Sequence, residues 1–193
     1  MMIKTMDDIF TNERTCYHFS TKAVGDKLLR EMYDLMKLGP TSANSCPLRI
    51  LFVRSAKEKA KLVSCVMPGN VEKVIAAPVT AIFSYDMKFY DNLPHLFPHM
   101  PSMKDYFSGS DVVATHTATL NSALQAAYFM MIARSRGLAI TPMSGFDMDA
   151  VDKNFLVGTY HKSSFLCCLG YRSEDEIHPR APRLSFEEAC KVI

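Results

Sequence analysis

The stretch 117–136 constrains the fold most. It is the longest helical pattern in the chain, it stops at Gly137, and from Ala123 to Ala133 apolar residues occupy nearly every side. A helix without a wet face must lie at the centre of something, either inside one domain or against a partner subunit. Gln125 interrupts the run, which is also too short to cross a bilayer. A central helix needs layers around it, and the rest of the chain supplies them. Helical spacing marks Met6–Thr11 and residues 23–38, where Leu28, Leu29, Met32, Leu35 and Met36 recur. Residues 50–54 predict a strand, 57–66 an amphipathic helix, and 78–85 and 164–171 buried strands. The alternation predicts an α/β or α+β protein rich in helix.

At 193 residues, 48% hydrophobic and 22% charged, the chain is long and apolar enough for one globular domain with a sizeable core. A net charge of +2 argues against a general nucleic-acid binder, which would carry a basic stripe. Cys16, Cys46, Cys65, Cys167, Cys168 and Cys190 contain no C-x-x-C pair, so buried reduced thiols in a cytoplasmic protein are expected rather than disulfides or zinc. The N-terminus has no apolar segment of signal-peptide length, and nothing suggests membrane insertion.

Chemistry concentrates in a few separated pieces. Gly39-Pro40 stops a helix, and Thr41-Ser42-Ala43-Asn44-Ser45-Cys46-Pro47 then crowds small polar groups before the strand. Arg14-Thr15 follows the first helix. Asn70 and Lys73 stand one helical turn apart. In Pro142-Met143-Ser144-Gly145-Phe146-Asp147 the glycine lets backbone approach a flat ligand. Arg180 and Arg183 lie near the C-terminus. Together these could serve an anionic heterocycle, with Arg for bidentate contact and Lys as a point charge. Residues 87–110, rich in Pro, His, Phe and Tyr, predict short helices that cover something, the best candidate for a lid over a substrate. His95, His99 and His116 lack a supporting carboxylate pattern, which favours packing or lid roles over a metal.

Several phrases, taken together, are specific. They are 35–44 (LMKLGPTSAN), 77–82 (APVTAI), 96–99 (LFPH), 125–128 (QAAY), 142–147 (PMSGFD) and 182–190 (PRLSFEEAC). On them the chain resembles the nitroreductase-like flavoproteins over nearly its whole length, most closely the malonic semialdehyde reductases of the uracil-degradation type. The resemblance implies a single domain over 1–193 with an α+β fold: a central mixed or antiparallel sheet surrounded by helices. It also implies a homodimer that holds FMN at the subunit interface. By position, Arg14 and Thr15 match a phosphate-contacting element, and Thr41, Ser42 and Asn44 the loop near the flavin ring and ribityl chain. Asn70 and Lys73 match residues at the ring edge, and Pro142, Ser144 and Gly145 the segment against the isoalloxazine. Arg183, with Arg180, matches a C-terminal phosphate clamp. Two departures stand out: Tyr17 occupies a position that is often basic, and Arg180-Ala181-Pro182-Arg183 replaces a Lys-x-Arg spacing.

The implied activity is an NAD(P)H oxidoreductase with ping-pong hydride transfer through flavin N5. No protein side chain acts as acid or nucleophile, and Lys73 tunes the reduced flavin. Malonic semialdehyde is the expected acceptor. Nitroaromatics, quinones or enones are the alternative, and a flavin-binding protein without a committed substrate is a third reading. NADH and NADPH are both open, since no Rossmann fingerprint is present.

Overall fold

A computed structural model describes residues 4–173 and 179–193. The chain opens with α1 (Met6–Thr11), closed at its start by a reciprocal cap in which Thr5 Oγ1 accepts from the Asp8 N–H and the Asp8 carboxylate accepts from the Thr5 N–H. Next come α2 (Asp26–Met36), β1 (Leu48–Val53), α3 (Ala56–Val63), α4 (Pro68–Ala76) and β2 (Val79–Asp86). Two short helices, α5 (Leu93–Leu96) and α6 (Ser102–Ser108), lead to the long α7 (Asp111–Ser135). The chain continues through β3 (Ala139–Met143), α8 (Met148–Phe155) and β4 (His161–Gly170) to a terminal turn, α9 (Phe186–Ala189).

The four strands form one sheet in the order β1-β2-β4-β3, and every pairing is antiparallel. Period-two alternation sends the two faces into separate cores. Val79, Ala81, Phe83, Cys167 and Leu169 pack with Leu29 and Met32 of α2 and Phe129 and Ala133 of α7. Ile82, Leu166 and Cys168 pack on the opposite face with Leu62, Val74 and Val151 from α3, α4 and α8. This is the α+β architecture expected from the chain, with its sheet wholly antiparallel.

Several expectations need correction. The helix expected at 57–66 ends at Val63, and Pro68, which suits a first helical position, opens a second one. The long helix starts earlier, at Asp111 with Ser110 as its cap, and its Ala114 and Ala118 pack on Phe89, Leu93 and Phe107 contributed by residues 87–110. Its expected burial on all sides is incomplete within one chain: Ala123 and Leu124 are exposed. β3 was not anticipated. It contains Pro142, which has no N–H for a ladder and is tolerated because β3 is an edge strand. Of the cysteines, Cys16, Cys65, Cys167 and Cys168 are buried, whereas Cys46 is half-buried and Cys190 exposed. Burial pushes the Cys168 thiol up to about 11, and that of Cys167 further in the same direction. Among the described residues no helix is long and apolar enough to cross a membrane.

Phe129 links helix to sheet, with its ring 5.8 Å from Phe83 at 74° and 5.9 Å from Phe52. Phe129→Ala should therefore cost about 3–5 kcal/mol, read as a lower urea midpoint at constant slope.

Candidate functional site

The predicted site residues fall into three groups. The first is cationic. Arg14 Nη1 donates to the carbonyls of Thr11 and Glu13, both at 2.9 Å, and Arg180 Nη2 donates to the carbonyls of Phe10 and, at 3.1 Å, Thr11. Arg180 Nη2 also reaches the Glu13 carbonyl at 3.5 Å, so the two guanidinium groups share two peptide oxygens. Desolvation first, then the charges of Arg14 and Arg183, hold the Arg180 guanidinium below its ordinary value. Arg183 is nearby in charge but spends its own Nη1 on the carbonyls of Ala181 and Pro182. Arg14 Nε is buried without a hydrogen-bond partner. Like charges are thus crowded beside a buried donor that has no partner among the described residues. Thr15, next in sequence, is exposed.

The second group is built where α4 meets the end of β3. Lys73 Nζ donates to Asn70 Oδ1 at 3.0 Å, and Asn70 Nδ2 donates to the Gly145 carbonyl at 2.9 Å. The Met67 N–H reaches the same carbonyl at 3.0 Å. A Cβ on Gly145 would stand 2.7 Å from Asn70 Nδ2, so any larger residue would push the Asn70 amide out of this arrangement. Pro142 and Ser144 are exposed beside it. The strap 14–17 joins the two groups: the Cys16 N–H donates to the Ile140 carbonyl on the open edge of β3, and Thr141 Oγ1 donates to the Cys16 carbonyl. Next along the strap, the Tyr17 ring lies 5.4 Å from Lys73 Nζ. The residue that departs from the usual basic pattern thus meets the lysine through its ring face.

The third group, Thr41, Ser42 and Asn44, is held elsewhere. The Ser42 N–H donates to Asn121 Oδ1 of α7 at 2.8 Å, and Asn44 Nδ2 donates to the Leu96 carbonyl of α5 at 2.8 Å. Thr41 Oγ1 accepts from the Cys46 N–H at 3.2 Å. Ala43, Asn44 and Cys46 adopt φ of 50°, 48° and 42°, left-handed values that cost non-glycine residues on the order of 1–3 kcal/mol each. Their persistence needs outside anchors. Beside this loop, between α2, β1 and α5, opens a cleft of about 830 Å³ with Asn44, Cys46, Leu29, Phe52, His95 and Gln125 among its walls.

Asn121 and Gln125 had not been assigned a role from the sequence, although two amides one turn apart inside an apolar helix were a readable signal. Glu13, Arg134 and Arg172, which surround the cationic group, gave none.

Residues 11–171 match the nitroreductase family. The chain belongs to that family. An NADH dehydrogenase/NAD(P)H nitroreductase (a provisional name) of Cupriavidus pinatubonensis is 47% identical over 97% of this chain and 96% of its own. The similarly named HadB of Ralstonia pickettii is 49% identical over 95% of each chain. A provisionally named nitroreductase from Exiguobacterium sibiricum, solved in complex with FMN, superimposes with a TM-score of 0.90 at 18% identity, covering 100% of this chain and 99% of that one. At such low identity this shows the nitroreductase fold alone.

If the cationic group is an anion receptor, Arg180→Gln should relieve repulsion and leave the flavin-free protein at least as heat-stable at low salt. The same change should shrink the rise in Tm produced by added inorganic phosphate. Equal responses of the two proteins to phosphate would remove the assignment.

Proposed function

We propose that this protein is an FMN-dependent NAD(P)H oxidoreductase that works as a homodimer. The observation that carries the reading is the buried, unpartnered Nε of Arg14 in a group of crowded guanidiniums, joined by one strap to the Lys73–Asn70–Gly145 cluster. These residues fit a ligand with a phosphomonoester at one end and a flat polar ring at the other. Arg14, Arg180 and Arg183 would bind the phosphate, as Arg180 feels the charges of the other two and none of the three has a carboxylate partner among the described residues. Gly145 and Asn70 would admit the ring, and Lys73 would place a positive charge at its edge. Once bound, FMN supplies the hydride carrier between a nicotinamide donor and an electrophilic acceptor. Half-buried positive charge at Lys73 favours electron uptake by the group beside it.

Thr41, Ser42 and Asn44 make their hydrogen bonds to Cys46, Asn121 and Leu96, away from this strap. A second copy that brings its own loop to the site would unite the three groups. Exposed apolar residues on α7 (Val112, Leu120, Leu124) and along the tail (Leu184, Phe186, Val192) support such an interface.

For the acceptor, malonic semialdehyde, reduced to 3-hydroxypropanoate, is favoured by the sequence phrases. A nitroaromatic is favoured by the names of the two relatives, and a quinone or an enone belongs to the same alternative. We expect the purified protein to show oxidised flavin bands released as FMN on mild unfolding, and to be bleached rapidly by NADH or NADPH. Rapid reoxidation by malonic semialdehyde but not by a nitroarene would select the first acceptor, and the converse the second. A colourless protein that ignores added FMN would sink the proposal.

Lys73→Met should lower the flavin midpoint potential while FMN still binds, measured by dye-coupled reduction. An unchanged potential would deny Lys73 its electrostatic role.

A further inference from the structure

The cationic group has a second layer that the proposed function leaves unused. Arg172 lies just beyond β4, where its backbone bridges to Phe19. Its Nη2 donates to the carbonyl oxygen of Arg14 at 3.0 Å and stands 3.8 Å from the Glu13 carboxylate. Glu13 also pairs with Lys4. The side chains of Arg172 and Glu13 are only 22% and 11% exposed, so this is no solvated surface pair of negligible worth.

Arg14 is consequently held at both ends. Arg172 fixes its carbonyl, and the carbonyls of Thr11 and Glu13 fix its Nη1. That leaves Nη2 and Nε of the guanidinium, and Nε is buried without a partner among the described residues. Arg172 itself is badly placed to bind a phosphate directly, because its Nη2 is engaged and a carboxylate sits beside it. Glu13 at that spot would repel an anion that came into contact with Arg172.

We propose that Arg172, held by Glu13, is a positioning residue for phosphate recognition. By fixing the backbone of Arg14 it presents the Arg14 guanidinium to the phosphomonoester of the flavin. The proposal rests on the phosphate-binding reading above, and it makes a distinction that a merely structural role would not. Loss of Arg172 should weaken binding of FMN, which has a phosphate, and leave riboflavin, which has none, untouched.

The test is a fluorescence-quenching titration of the flavin-stripped full-length protein with FMN and with riboflavin, for the native chain, Arg172→Gln and Arg172→Lys. We expect Arg172→Gln to lower FMN affinity about tenfold, the worth of one charge-assisted hydrogen bond, with riboflavin affinity unchanged. Arg172→Lys keeps the charge but not the planar fork, and should shift the FMN-to-riboflavin ratio the same way by less. If Arg172→Gln does not fold, the lysine variant alone decides. A ratio equal to the native one, whether both affinities fall or neither does, overturns the proposal. A native protein that binds riboflavin as tightly as FMN overturns the phosphate reading itself, and this inference with it.

Discussion

Two amides on α7 hold the active end of the molecule in shape. Asn121 and Gln125, one helical turn apart and both buried, accept the N–H groups of Ser42 and Leu48 at 2.8 and 3.0 Å. Between those anchors the chain passes through three left-handed non-glycine residues, a conformation it would not keep alone. A leucine or alanine at either amide would leave a backbone N–H without its buried partner and release the loop. The helix that fills the core therefore also supplies the hydrogen bonds that keep the loop strained. Gly39 completes the arrangement: a Cβ there would stand 2.3 Å from the Tyr128 ring, so only glycine lets the loop start beneath α7, where the Tyr128 hydroxyl donates to the Pro40 carbonyl.

The cationic group obeys the opposite logic. Arg14, Arg180 and Arg183 are placed against their mutual repulsion, and among the described residues their acceptors are peptide carbonyls. Nearby, Arg134 has its own Nε buried without a partner, and burial lowers its pKa against the pull of Glu13. An arrangement that is uncomfortable without an anion gains most when one arrives.

Much of the fold could be read from local signals. Met6–Thr11 shows its Thr-x-x-Asp cap, residues 35–40 show where a helix must stop, and Ser185 with Glu188 announces α9. β3 escaped because an edge strand bonded along one side needs little pattern and tolerates Pro142. α4 escaped because Pro68-Gly69-Asn70 has the composition of a turn. The site was legible as a set of residues and illegible as an assembly. Asn70 meets Gly145, and Arg172 meets Arg14, only because of how the sheet is ordered, and strand order leaves no local trace. Resemblance could name the participants, while the positioning by Glu13 and Arg172 depends on contacts between segments far apart in the chain.

Strand order has a temporal consequence as well. β4, the last strand made, is inserted between β2 and β3, and Val79 must find Leu169 before the centre of the sheet exists. Until then β3 has no strand partner, and β2 is paired along one edge only, to β1. During synthesis these strand edges stay open until residues 161–170 have been made. Such non-local closure is slow, and it leaves unpaired strand edges exposed for as long as it takes.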